Sequence, residues 1–193
     1  MMMGVSILRR IGQAIDRSYL NKVGAAPIPG SDLGLLLVCY HSYEGKQTIE
    51  LSDHTVIRPG QTVGELHFSN IRITEIAAQS ERSLEWQLME MLKQEMGTLA
   101  KACAAGLIPE TVEAFYGTNV LAAGARRLGF TLIPIPKGWN RWWIGFWESV
   151  LRLVYYSFKT SKKTSLKRTM DPYEVWMSRA QLLQRLAKRR PEA

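Results

Sequence analysis

The spacing of hydrophobic and polar positions changes several times along these 193 residues, and each change predicts a different element. Ile7, Ile11, Ile15 and Tyr19 recur at four-residue steps while Arg9, Arg10, Gln13, Asp16 and Arg17 take other faces, predicting an amphipathic helix over residues 5–19. Residues 24–32 read GAAPIPGSD and predict a loop. The pattern then turns to β. Short apolar or alternating runs at 33–43, 48–51, 56–58, 62–68 and 71–73 are separated by turn residues, predicting an antiparallel meander of about five strands. Leu84, Leu88, Leu92, Met96 and Leu99 form a helical stripe within residues 80–106. Ser80 and Ser83 are its candidate N-caps, Gly106 its stop, and Pro109 follows. Met89, Met91 and Met96 on this helix read as core filler.

A strand at 111–116, a helix at 121–128 closed by Gly129, and a strand at 130–135 predict a strand–helix–strand unit. Pro134 and Pro136 confine its last strand to an edge or a terminus. A strand at 173–177, Ser178 as N-cap and a helix at 180–189 finish the chain. The expected class is α+β, with residues 1–23 as an N-terminal amphipathic helix and 24–193 as a single domain. In order, that domain holds the meander, the long helix, the strand–helix–strand unit, a Trp-rich amphipathic helix and the C-terminal helix.

The Trp-rich helix comes from GWNRWWIGFWESVLRLVYYSF at 138–158, followed by KTSKKTSLKR at 159–168. On a helical wheel Arg141, Gly145, Glu148 and Arg152 make one narrow stripe in an otherwise apolar surface. Twenty such residues reach about 30 Å, enough to cross a bilayer. Insertion nevertheless fails on energy. The seven most apolar aliphatic and Phe residues contribute about −3 kcal/mol, while Arg152 alone costs about 2.5–3.5 kcal/mol near the bilayer centre and Glu148 adds a further penalty. The helix therefore packs in the core or lays Trp139, Trp142, Trp143 and Trp147 in the headgroup layer. Beside it, Lys159, Lys162, Lys163, Lys167 and Arg168 run with no acidic residue among them, a surface suited to anionic lipid or another polyanion.

Charge reinforces this picture. The formal net charge is +8, and residues 137–193 hold 13 Lys/Arg against four acidic residues. The first 136 residues are left with 12 basic against 13 acidic ones. Cys39 and Cys103 stand alone, so no disulfide is expected, and Cys39 reads as a small core residue. Arg9 and Arg10 interrupt the first apolar stretch before a secretory signal can form, which predicts a cytoplasmic location, peripheral at the inner face of the membrane.

Three stretches in order, ELSDHTVIRPGQTVGELHFSN at 50–70, EAFYGTNVLAAGARRLGF at 113–130 and EVWMSRAQLLQR at 174–185, resemble the YkoP-like family. This is a bacterial domain of unassigned activity, found alone in spore formers and as a C-terminal extension of polysaccharide deacetylases. Order and spacing agree from about Leu35 onward. The family's usual Asp-Gly turn is Asp53-His54 here, and Gln61 stands where an acidic residue is common. His accepts φ > 0 less readily than Gly. The resemblance implies a context of envelope glycan or lipid and of sporulation, and supplies no reaction.

The residues themselves offer one catalytic candidate. His67, with Glu65 on the same strand face to orient it, has the makings of a general base. Glu113 and Tyr116 are placed to face it across the sheet, and Asn70 and Arg179 are binding candidates. His41, His54 and His67 lie 13 residues apart without HxH or HxxxH spacing, so no metal and no cofactor are expected. A Gly-rich phosphate loop, a Ser nucleophile elbow and the His/Asp metal motif of a polysaccharide deacetylase do not occur. Together with the basic C-terminal third, these features predict a non-enzymatic accessory or binding protein associated with anionic membrane, and the resemblance implies that it serves envelope- or sporulation-related polymer metabolism with envelope-glycan machinery as partner. The alternative is an enzyme on a glycan or lipid-linked glycan with His67 as base. A third reading, nucleic-acid binding through the basic third, is disfavoured because the tryptophans precede the basic run instead of interleaving with it.

Overall fold

In TVGELHF, residues 62–68, apolar Leu66 and Phe68 alternate with polar Glu65 and His67, and this strand lies within the sheet with helices on one side of it. The computed structural model describes residues 18, 20–79, 84–119, 122–135 and 173–188. In chain order the strands are β1 (Ala26–Pro27), β2 (Leu36–Ser42), β3 (Ile49–Glu50), β4 (Val56–Ile57), β5 (Thr62–Phe68), β6 (Val112–Asn119), β7 (Thr131–Pro134) and β8 (Tyr173–Ser178). The helices are α1 (Asn70–Gln79), α2 (Leu84–Ala104), α3 (Ala122–Arg127) and α4 (Arg179–Lys188). The predicted N-terminal helix apart from Ser18, which is helical, falls outside the described residues, as do the caps Ser80 and Ser83, the Trp-rich helix and the basic run 159–168. Among the described residues, no helix is long and apolar enough to cross a membrane.

The class is α+β as expected, but the topology is not a simple meander. Six strands form a mixed sheet in the order β1-β2-β5-β6-β8-β7. β2 and β5 pair antiparallel over their full lengths, from Leu36 opposite Phe68 to Ser42 opposite Thr62. β3 and β4 leave this pair to make their own hairpin. β5 and β6 are parallel, a pairing that requires a crossover, which α1 and α2 supply. β8 runs antiparallel to both β6 and β7 and separates them, so the predicted strand–helix–strand unit is split by a later strand.

One predicted strand is a helix. Residues 71–73 lie in the first turn of α1, because Ser69 caps it: Arg72 N–H donates to Ser69 Oγ (3.3 Å) and Ile73 N–H to Ser69 O (3.0 Å). A three-residue apolar pattern cannot distinguish strand from helix, and here Ile73 and Ile76 pack at helical spacing on Leu35 and Leu88.

The helices cover one face. Leu36, Val38, Phe115, Val175 and Met177 from the sheet meet Leu92, Met96 and Leu99 of α2 and Leu182 of α4. Met89 and Met91 are partly buried against this core or the adjoining cluster, so all three methionines serve as packing. Glu95, fully buried on α2, turns inward and accepts the N–H groups of Leu35 (2.8 Å) and Leu36 (3.3 Å), holding the start of β2. Gly106 ends α2 in a left-handed conformation (φ 70°), with Leu107 N–H donating to Ala102 O. Cys39 and Cys103 are buried free thiols.

The opposite face is divided. Its apolar half, Val63, Ala114 and Trp176, is packed by Ile49, Leu51 and Ile57 of the β3–β4 hairpin region. The hairpin turn is tied down by Asp53, whose carboxylate accepts the hydroxyls of Ser178 and of Thr55 (2.9 Å). Ser178 Oγ also accepts Gln181 N–H (2.9 Å), as the predicted N-cap of α4. His54 supplies the positive φ of this turn (65°) where the family pattern uses Gly.

Two outcomes follow for stability. A Cβ on Gly117 would stand 2.8 Å from the Leu66 backbone oxygen, so Gly117→Ala is expected to cost about 1–3 kcal/mol in denaturant unfolding. Burial alone would raise the Asp53 pKa, but the hydrogen bonds from Ser178 and Thr55 outweigh it and hold the carboxyl below the usual range. The stabilisation by ionised Asp53 is thus complete above the ordinary Asp value of about 3.9 and is lost as pH falls through the lower folded value. In a pH series of thermal unfolding, Asp53→Asn should be less stable than the parent at neutral pH, with the gap closing below about pH 4.

Candidate functional site

Three neighbouring strands deliver polar side chains to the other half of the face that the described helices leave uncovered. Alternation in β5 puts Glu65 and His67 on that face, two residues apart. Antiparallel β2 places Cys39 directly opposite Glu65, and parallel β6 places Tyr116 opposite Glu65 on its other side. His41, two residues beyond Cys39, falls on the same face.

Their polar atoms converge. Glu65 Oε2 is 3.5 Å from His67 Nε2 and 3.7 Å from His41 Nε2. Cys39 Sγ is 3.5 Å from His67 Nε2, and His41 Nε2 is 3.0 Å from the Tyr116 hydroxyl. Nδ1 of His41 lies 2.8 Å from Ser42 O, which can only accept, so this nitrogen carries a proton. His41 Nε2 therefore points into the cluster, where the single phenol proton of Tyr116 can go either to it or to Glu65. The side chains of His41, Glu65 and His67 remain 35 %, 23 % and 15 % exposed, within reach of solvent. Below them Trp176 stacks on Tyr116 (ring centroids 4.4 Å apart, planes at 13°) and donates its indole N–H to Glu174 (2.9 Å). Tyr43 meets the same indole edge-on at 5.6 Å.

The electrostatics assign different roles to these groups. Burial pushes the Glu65 carboxyl up, but the hydrogen bond and charge of His67, the charge of His41 and the Tyr116 hydroxyl together bring it below its ordinary value. It is an anion near neutrality. Burial, then the carboxylates of Glu65 and Glu174, drive the Tyr116 phenol far above its ordinary value, so it keeps its proton. Burial and Glu65 raise the Cys39 thiol, which makes it a poor spontaneous nucleophile despite the nearby imidazole.

Of the residues singled out from sequence, Glu65, His67 and Tyr116 meet here. Glu113, Asn70 and Arg179 do not join them. Glu113 is exposed and is passed over where the β5–β6 register shifts. Asn70 opens α1, its carbonyl accepting the Thr74 hydroxyl (2.8 Å). Arg179 donates to the carbonyls of Pro109 (2.8 Å), Cys103 (3.1 Å) and Ile108 (3.4 Å), binding the end of α2 to the start of α4. His54 is also apart, exposed and bonded to Glu50 Oε1 (3.0 Å). Trp139, Trp142, Trp143, Trp147, Lys159, Lys162, Lys163, Lys167 and Arg168 lie outside the described residues.

Cys39 and His41 are the members that sequence reading passed over as site residues. Their signal was the odd-numbered alternation Leu37, Cys39, His41 in β2, which becomes informative only once the register with β5 is known. That register also changes the metal question. The spacing of the histidines argues against an ion, but the sheet brings a thiol, a carboxylate and an imidazole to within 4.8 Å of one another. A separate apolar cavity of about 30 Å³, lined by Leu36, Leu66, Phe68 and Leu92 among others, lies on the helix side and has room for about one water.

A family model described as YkoP domain matches residues 6–186. The chain belongs to this family. No curated protein and no solved structure matches it. In this YkoP domain the first motif supplies Glu65 and His67, the second Tyr116 and the third the Trp176 platform. What the arrangement can do chemically is hold an ionised carboxylate, an imidazole and a protonated phenol within a few ångströms at a solvent-reachable surface.

Proposed function

We propose that this YkoP domain is an enzyme that moves a proton at a hydroxyl or a bound water of an envelope glycan or lipid-linked glycan. The observation that carries this reading is the convergence of Glu65, His67, His41 and Tyr116 on one half-exposed patch. Glu65 lies 3.5 Å from His67 and orients it, and His67 serves as the base. Tyr116 remains a hydrogen-bond donor to developing negative charge. A purely accessory protein gains little from keeping charged and titratable groups partly desolvated beside one another, since each carries a burial cost that catalysis can repay. The glycan class comes from the association of YkoP-like domains with polysaccharide deacetylases.

The test is to incubate the protein with cell-wall glycan fragments and with lipid-linked glycan and follow products by mass spectrometry. His67→Gln is expected to lower the rate by about 10²–10⁴-fold while His54→Gln leaves it unchanged. No turnover of either substrate by the parent protein, or equal turnover by His67→Gln, would remove this reading.

The charge distribution favours a location for such work. We propose peripheral attachment to anionic membrane through residues 137–193, where 13 Lys/Arg face four acidic residues. Near an anionic leaflet each basic residue contributes about 1 kcal/mol. The protein should sediment with vesicles containing phosphatidylserine or phosphatidylglycerol, be released by salt, and ignore phosphatidylcholine vesicles. Neutralising Lys159, Lys162, Lys163, Lys167 and Arg168 together should abolish sedimentation. Unchanged partitioning of that variant would count against membrane attachment.

A further inference from the structure

We infer that the polar patch of β2 and β5 is a transition-metal site, with Cys39 Sγ, Glu65 Oε2 and His67 Nε2 as ligands of a zinc-class divalent cation. The inference rests on the reading of this face as a reaction centre and names its cofactor. When the ion is bound, Glu65 and His67 act as ligands, so the role of base passes from His67 to His41, whose Nε2 lies beside the position that a water completes.

Two of the three donor separations are those of a coordination shell. A tetrahedral ion bound at about 2.0–2.3 Å by N, O and S sets its ligand atoms roughly 3.3–3.8 Å apart. Glu65 Oε2 to His67 Nε2 and Cys39 Sγ to His67 Nε2 are each 3.5 Å, and the three donor atoms all lie within 4.8 Å of one another. At 3.5 Å the carboxylate–imidazole contact is a long, weak hydrogen bond, beyond the usual N···O separation of about 2.7–3.2 Å. It matches an edge of a tetrahedron.

The donor set selects the ion. A thiolate and an imidazole are too soft for Mg²⁺ or Ca²⁺, and one carboxylate is too few oxygens; the mixture suits Zn²⁺, with Co²⁺ as its spectroscopic substitute. Three protein ligands leave the fourth position open, the arrangement of reactive rather than structural zinc. His41 has the orientation expected of a partner to that position. Its Nδ1–H is fixed on the Ser42 carbonyl (2.8 Å), the type of outer contact that sets the tautomer of metal-site histidines, and its Nε2 faces Glu65 (3.7 Å) and Tyr116 (3.0 Å). The strands that carry the ligands are held by full-length β2–β5 pairing, so the site needs no loop to close.

The experiment uses the full chain, produced without a polyhistidine tag and stripped with chelator. Titration with Co²⁺ should saturate at one ion per chain and develop a thiolate-to-cobalt charge-transfer band together with tetrahedral ligand-field absorption. Zn²⁺ should displace the cobalt and Mg²⁺ should not. Cys39→Ser is expected to abolish the charge-transfer band, and His67→Ala to weaken cobalt binding by more than about 100-fold. His54→Ala should leave both unchanged. X-ray absorption of the zinc-loaded parent protein provides a measurement that needs no variant: one sulfur at about 2.3 Å and nitrogen or oxygen at about 2.0–2.1 Å are expected. A shell without sulfur, the absence of stoichiometric binding, or a charge-transfer band that survives Cys39→Ser would overturn the inference. Chelated protein that still turns over glycan at the full rate would also overturn it and leave the acid–base reading standing. Stoichiometric, thiolate-bound cobalt in a protein that turns over no glycan would keep the metal site and remove that reading.

Discussion

The parallel pairing of β5 with β6 is the constraint on which the rest of the molecule depends. Parallel neighbours cannot be joined by a tight turn, so the chain must cross over. The crossover is made of α1 and α2, and their apolar stripe covers one face of the sheet. Everything polar on the alternate positions of β5 is thereby sent to the other face. The close approach of the two strands is allowed by the absence of side chains at Gly64, where a Cβ would meet the Phe115 ring at 2.6 Å, and at Gly117. Without that approach Tyr116 would not lie opposite Glu65.

Charge is kept on the polar patch of β2, β5 and β6 by mutual compensation and not by exposure alone. Glu65 pays a desolvation cost, and the imidazoles and the phenol return it through hydrogen bonds and opposite charge. Each of those partners depends on another contact: His41 on the Ser42 carbonyl, Tyr116 on the Trp176 ring, Trp176 on Glu174. Such a set responds as a unit. Removing one member leaves the others partly buried with unmatched donors or acceptors, which costs more than the lost bond.

The parts of this fold legible in the sequence were those governed by local periodicity and capping. The Leu84–Leu99 stripe, the Gly106 stop and the Ser178 cap each depend on residues within one or two turns, and each stands in the structure. The placement of Glu65 and His67 on one strand face was equally local. What the sequence hid depends on partners far along the chain. Residues 71–73 look like a strand until Ser69 is recognised as a cap and Leu35 and Leu88 as their packing partners. Glu95 looks like a solvent-facing position until the free N–H groups of Leu35 and Leu36, some sixty residues away, claim it. Arg179 looks like a binding cation until three carbonyls at the end of α2 surround its guanidinium. Cys39 and His41 entered the site only through the register between β2 and β5, which no single strand encodes.

The sheet face opposite the described helices has two characters, and Trp176 marks their boundary. Toward the hairpin it packs in a dry cluster with Val63, Ala114, Leu51 and Ile57. Toward the polar patch its ring carries Tyr116. The hairpin is locked at its turn by Asp53 on Ser178, and Ser178 also starts α4, so the dry half is fixed to the framework at two points. That fixation positions the wet half. The fully buried Trp176 stacks on Tyr116, and Tyr116 in turn contacts His41 and Glu65. The apolar half of the face thus acts as the rigid support that a set of partly desolvated polar groups requires if their separations are to stay within the few tenths of an ångström that chemistry or metal coordination needs.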